Sequence, residues 1–172
     1  CACRSEVVVV ATGGTAAPLR LQTRSDLLTH VEFSADGKLL LAAGGTPSRF
    51  GEVSVFSVAD GRRVLSRRVS KDTLFRGGLS PDGKRVALGG ADGAVHVIPL
   101  DEKAAVRRIE LHSDWVVDVA WTPDGKKLIT AGRDKATKVA SVETGKLLRT
   151  VDSSSERVSS VVTDGVFAVS AG

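Results

Sequence analysis

Short apolar runs, four to eight residues long and rich in Val, Leu, Ala and Gly, alternate along this chain with small polar clusters. No ten-residue window carries an apolar stripe at helical spacing, and glycines and β-branched residues are too frequent for helices, so strands are predicted throughout. The strands fall into a recurring order. One ends in an aromatic or bulky residue; an Asp-Gly turn follows, then an apolar strand, a Gly-rich connection, a third strand, another turn, and a fourth, more polar strand. In one copy these strands are Thr73 to Leu79, Lys84 to Leu88, Ala94 to Ile98 and Ala105 to Glu110. The second strands, such as Leu39-Leu40-Leu41-Ala42-Ala43 and Leu128-Ile129-Thr130-Ala131-Gly132, are apolar on both faces, as strands sandwiched between sheets must be. Fourth strands such as Arg62-Arg63-Val64-Leu65-Ser66-Arg67 are mixed and belong at a rim.

The Asp-Gly turns set the period. They lie in the phrases Phe33-Ser34-Ala35-Asp36-Gly37-Lys38, Leu79-Ser80-Pro81-Asp82-Gly83-Lys84 and Trp121-Thr122-Pro123-Asp124-Gly125-Lys126, and in the weaker Val162-Thr163-Asp164-Gly165. The aspartates are 46, 42 and 40 residues apart. Asp-Gly between β-rich runs marks a hairpin because both residues tolerate positive φ. A repeat of about 40–45 residues built from short strands is the signature of propeller blades. The predicted fold is therefore all-β, a β-propeller segment of four-stranded antiparallel blades, arranged as a half-blade over 1–22, blades over 23–69, 70–111 and 112–151, and a half-blade over 152–172. Its leading half supplies the third and fourth strands of a blade (Glu6 to Val10, Pro18 to Gln22). Its trailing half supplies the first and second (Arg157 to Val162, Val166 to Ala171).

One blade opens with His112-Ser113-Asp114-Trp115-Val116-Val117-Asp118-Val119-Ala120-Trp121-Thr122-Pro123-Asp124-Gly125. This phrase resembles the start of a WD repeat, and the likeness extends over nearly the whole chain. The resemblance implies a propeller that acts mainly as a protein-binding platform. The family's Trp-Asp pair at the end of the third strand is absent; Phe56-Ser57, Ile98-Pro99 and Ala140-Ser141 stand there. Its buried His–Ser/Thr–Asp–Trp network is therefore expected only in part, with His112, Thr130 and Asp134 as three of the four members. Gly44 to Val53, together with the blade from His112 through Asp134, is similar to divergent bacterial WD-repeat proteins that carry a c-type cytochrome domain upstream. That likeness implies an extracytoplasmic home and, as an alternative function, an accessory domain of a redox or hydrolytic enzyme.

Charge and composition narrow the function. The formal net charge is +4 over 172 residues. Basic residues come in pairs (Arg62-Arg63, Arg67-Arg68, Arg107-Arg108, Lys126-Lys127), mostly on outer strands, where charge protects a sheet edge. They form no concentrated stripe of the kind nucleic acid demands. No apolar run approaches the ~20 residues of a membrane span, so no membrane insertion is expected, and no basic-then-apolar leader is visible at the start. Cys1 and Cys3 are the only thiols and lie too close on one predicted strand for a good disulfide. His30, His96 and His112 have no metal-ligand spacing. The double glycines at 13–14, 44–45, 77–78 and 89–90 lack the Gly-Lys-Ser/Thr of a phosphate loop and are read as tight turns and close blade packing. His112, Ser113 and Asp114 are consecutive and cannot form a relay. The Asp-Gly-Lys turns lack the alternating carboxylates of a calcium loop. Asparagine is absent, which removes N-glycosylation. No catalytic residue, metal or cofactor is predicted, and the chain is read as a non-enzyme.

Function is expected on the face where the blade-linking loops and the loops between second and third strands emerge together. The candidates are Arg49 and Phe50 on what reads as the longest loop, Lys71 and Asp72, Asp114 and Trp115, and Arg133. Trp, Phe and Arg are the residue types that dominate binding hot spots, so the expected partner is a protein or peptide. The chain has no Met and both starts and stops within the pattern. It is therefore expected to be a piece of a larger propeller, completed by further blades. Self-association by exchanged ends, or closure as a four-bladed ring, are the alternatives, the last requiring unusually strong curvature.

Overall fold

The computed structural model describes residues 5–13, 17–152 and 158–171. Cys1, Cys3, Gly14 and most of the expected 152–157 loop fall outside these residues. Every regular element among them is a strand. Blade 1 contains β3 (Leu27–Phe33), β4 (Leu39–Thr46), β5 (Phe50–Ser57) and β6 (Arg63–Ser70); blade 2 contains β7 (Leu74–Leu79), β8 (Arg85–Gly90), β9 (Ala94–Pro99) and β10 (Arg107–Glu110); blade 3 contains β11 (Val116–Trp121), β12 (Lys127–Gly132), β13 (Ala136–Ser141) and β14 (Leu147–Asp152). Each blade is an antiparallel sheet whose spatial order follows its sequence order. A leading pair, β1 (Glu6–Val9) with β2 (Leu19–Gln22), and a trailing pair, β15 (Ser160–Thr163) with β16 (Ala168–Ala171), form two-stranded sheets. This is an all-β propeller arrangement, with each blade's mixed fourth strand at the outer edge.

The repeated turn phrase folds the same way three times. The hydroxyls of Ser34, Ser80 and Thr122 donate to Asp36, Asp82 and Asp124 at 2.6, 2.5 and 2.5 Å. The same carboxylates accept the backbone N–H of Lys38, Lys84 and Lys126 at 3.0–3.1 Å. Gly37, Gly83 and Gly125 take φ of +69°, +65° and +65°, a region where a Cβ is strained. The hydroxyl bonds, first among the causes, hold all three carboxyls below the usual carboxylate range. The fourth phrase, one residue shorter, builds a different turn. There Asp164 accepts the N–H groups of Val166 and Phe167 instead.

Packing runs from blade to blade. Leu41, Val53, Val55 and Leu65 of blade 1 meet Leu74, Val86, Leu88 and Ile98 of blade 2. Ala87, Val95, Val97 and Ile109 of blade 2 meet Val116, Val119, Trp121 and Leu128 of blade 3. Full burial of each such aliphatic side chain stabilises by roughly 1.5–3 kcal/mol. The end of each first strand shows how adjacency decides burial. Trp121 is 9% exposed; its indole N–H donates to the Gly78 carbonyl of blade 2 at 2.9 Å, and Arg85 lies over its ring. Phe33, at the same place in its phrase, is 51% exposed, because among the described residues no innermost strand stands in front of blade 1.

Two sequence expectations need correction. The Gly44 to Val53 stretch is not the longest loop. All three connections between second and third strands span three residues, and β4 and β5 instead continue their pairing through Gly45–Gly51 and Thr46–Phe50. The four extra residues of the 46-residue step are therefore a longer hairpin. The glycine pairs 44–45, 77–78 and 89–90 likewise lie within strands rather than in turns. At Gly77, for example, a Cβ would stand 1.9 Å from the Ala87 carbonyl oxygen of the paired strand.

The arginines of the outer strands do more than guard an edge. Arg63 donates to the Gln22 carbonyl at 2.6 Å, Arg67 to the Ala104 carbonyl at 2.8 Å and Arg107 to the Val142 carbonyl at 2.7 Å. Each bond ties one sheet to its neighbour.

Candidate functional site

Each blade holds a node of polar side chains, built in blade 3 from its entering loop, its second and third strands and the connection between them. In blade 3, His112 comes from the entering loop, Thr130 from β12, and Asp134 from the β12–β13 connection. The structure brings the three together. His112 Nδ1 lies 2.7 Å from Asp134 Oδ1, and His112 Nε2 lies 2.7 Å from Thr130 Oγ1. The imidazole is fully buried. Burial lowers its pKa, opposed by the Asp134 carboxylate, so the ring is neutral near pH 7. A neutral ring with a carboxylate at Nδ1 donates there and accepts the Thr130 hydroxyl at Nε2.

Burial pushes the Asp134 carboxyl up. The bond from His112, the Ser113 N–H at 3.2 Å and the nearby Lys138 ammonium outweigh that push and hold it below the usual carboxylate range. Lys138 Nζ is 3.3 Å from Asp134 and also donates to the Leu111 carbonyl at 2.7 Å. Gly132 makes room for all of this. A Cβ there would lie 2.2 Å from His112 Nδ1 and 2.4 Å from Asp134 Oδ1.

Blade 2 builds its node from different residues. Asp92 follows Gly90 by two positions, as Asp134 follows Gly132. Its ring partner is His96 on β9, at 3.2 Å, in register with Leu88 as Lys138 is with Thr130. Arg108 closes the node from β10 at 2.9 Å. Burial lowers the His96 pKa, against the pull of Asp92. In blade 1 the corresponding ring position holds Ser54, opposite Ala42. The node there is Glu52, 2% exposed, whose Oε1 accepts the hydroxyls of Ser54 and Ser66 at 3.2 and 3.3 Å. Its Oε2 is buried without a partner among the described residues.

Around these nodes stand the predicted binding residues. Trp115 is 40% exposed at the entrance to β11. The Arg133 guanidinium lies over the indole, 4.3 Å from its centroid, while its backbone N–H donates to the Trp115 carbonyl at 2.9 Å. The Phe75 ring, which the sequence reading did not single out, sits 5.2 Å from Trp115 at 30°. Asp114 accepts the Trp115 backbone N–H at 2.7 Å. Asp72 accepts the N–H groups of Ser48 and Thr73 at 2.9 and 2.7 Å, tying the β4–β5 connection to the entrance of blade 2. Phe50 opens β5 beneath the Arg68 guanidinium, 4.0 Å from its ring centroid. Arg49 and Lys71 are exposed. The structure thus gathers Asp114, Trp115 and Arg133 into one cluster and links the Arg49–Phe50 turn to Asp72. Phe75 and Arg68 complete the two clusters. Phe75 was hidden because its contact depends on the next blade, but its place three residues after Asp72 on an entering strand was visible.

The described residues hold no group of three or more His, Cys, Asp or Glu side chains able to bind a metal ion, and no helix long and apolar enough to cross a membrane.

A family profile described as the anaphase-promoting complex subunit 4 WD40 domain matches residues 111–163, that is, blade 3 and the first strand of the trailing pair. No curated protein matches the chain. The profile match and the blade arrangement together support a WD-repeat β-propeller. WD40 domains commonly serve as protein-interaction scaffolds and are generally non-catalytic.

Proposed function

We propose that this chain is a non-catalytic scaffold that binds a protein or peptide on its loop-bearing face, through Arg49, Phe50, Lys71, Asp72, Asp114, Trp115 and Arg133. The observation that carries this reading is the half-exposed Trp115, in contact with the Phe75 ring and the Arg133 guanidinium at the end of strands whose own cores are buried. A rigidly mounted indole with a stacked arginine exposes apolar area and hydrogen-bond donors together. Little side-chain entropy remains to be lost when a partner arrives. Asp72 and Asp114 act as supports. Their carboxylates cap the loops that present the aromatic residues.

The test is simultaneous alanine substitution of Arg49, Phe50 and Trp115. Binding to a captured partner is expected to disappear while the circular dichroism spectrum and thermal midpoint are retained. Unchanged binding by the folded triple variant rules out this site.

A further inference from the structure

We infer that the partner segment recognised by this face is acidic, with an apolar or aromatic side chain beside its carboxylates. This rests on the binding-platform reading above and adds the chemistry of the occupant. Five aspartates of this face already have partners within the chain. Asp26 accepts the Thr46 hydroxyl at 2.6 Å. Asp72 and Asp114 cap backbone N–H groups. Asp92 is taken by His96 and Arg108, and Asp134 by His112 and Lys138.

The cations of the same face are arranged differently. Among the described residues, Arg49, Lys71 and Arg133 form no ion pair with any carboxylate. The Arg133 guanidinium lies over the Trp115 ring, 4.3 Å from its centroid, and its backbone N–H is bonded to the Trp115 carbonyl. A guanidinium stacked on a ring keeps its in-plane N–H groups at the edge, directed outward, where they match a carboxylate in paired fashion. The stacked arginine also occupies a face of the indole, so a cationic side chain gains nothing there. The exposed remainder of Trp115 and the neighbouring Phe75 offer apolar contact. Unpaired cations beside exposed aromatic surface, with the nearby Asp92 and Asp134 already in ion pairs and Asp72 and Asp114 accepting backbone N–H groups, are complementary to an acidic, apolar peptide.

The experiment uses the full chain with three fluorescent probes: a short peptide alternating glutamate with phenylalanine and leucine, its lysine-for-glutamate counterpart, and single-stranded oligothymidylate. Anisotropy should show binding of the glutamate peptide, weakening as salt rises. Arg133→Glu should weaken it about tenfold or more, whereas Lys103→Glu, the same charge change on an exposed residue between β9 and β10, should not. Arg133→Gln serves as the milder variant, expected to show a smaller loss in the same direction. Equal or tighter binding of the lysine peptide, abolished by Trp115→Ala, overturns the acidic assignment and leaves the platform standing. Binding of the oligonucleotide in place of the glutamate peptide also overturns it. No response of either peptide to Trp115→Ala overturns both readings.

Discussion

Blades 1 and 3 solve the same problem in opposite ways. Each buries polar side chains within its sheet, blade 3 around its second and third strands and blade 1 between its third and fourth. Blade 3 closes a circuit in which imidazole, hydroxyl, carboxylate and ammonium satisfy one another. Blade 1 buries a glutamate that two serine hydroxyls satisfy on one oxygen only. Buried polar groups rigidify when fully paired and destabilise when half-paired. The blade backbone does not require the circuit, since blade 1 forms without it. What the circuit adds is a fixed entrance to β11, and with it a fixed Trp115, whose chain position lies three residues after His112.

The largest effect expected from breaking this comparison is at Gly132. Gly132→Ala drives a methyl into His112 and Asp134 and should cost more than about 3 kcal/mol in chemical denaturation. His112→Ala, which leaves Asp134 and Thr130 without their ring, should cost about 2–3 kcal/mol by the same measurement. Glu52 should show the reverse sign. Glu52→Met removes a buried, half-satisfied carboxylate and is expected to leave stability unchanged or raise it by up to about 2 kcal/mol. A loss at Glu52 as large as that at His112 would dissolve the distinction between the two blades.

Acid provides a third way to sharpen the comparison. The His112 and His96 pKa values are lowered in the folded chain, so the unfolded chain takes up their protons first. Their contribution is complete above the ordinary value of 6.5 and is lost as pH falls below it. The lowered carboxyls of Asp134 and of the three turn aspartates contribute above 3.8, and that contribution is lost as pH falls further. The thermal midpoint should therefore fall in two stages on acidification. His112→Gln should shrink the first stage to the part that His96 supplies. Arg107→Ala, which cuts the tie from blade 2 to the Val142 carbonyl, should cost only about 1 kcal/mol.

What was legible in the sequence was chemistry that acts locally. Ser34, Asp36 and Gly37 specify their turn within four residues, and the phrase recurs, so blade number and strand order could be read directly. The spacing of His112, Thr130 and Asp134 places them on parts of one blade that its hairpins bring together. The hairpin from Gly44 to Val53 was not legible, because its glycines read as turn formers while cross-strand pairing uses them for close approach. Contacts between blades were hidden for a related reason. Phe75 meets Trp115 from another sheet, and Arg63, Arg67 and Arg107 choose main-chain carbonyls, which carry no side-chain signature. The blade 1 node was hidden as well, since Glu52 lies on a strand whose neighbours gave no sign that its carboxylate turns inward.

The most direct test of the central claim is amide chemical-shift mapping of the isotope-labelled chain as the glutamate–phenylalanine peptide is added. Shifts are expected to be confined to the loop-bearing face, around Ser48 to Phe50, Lys71 to Phe75, Ser113 to Trp115 and Arg133. Shifts centred instead on the opposite face, at the Asp36, Asp82 and Asp124 turns, would contradict the claim.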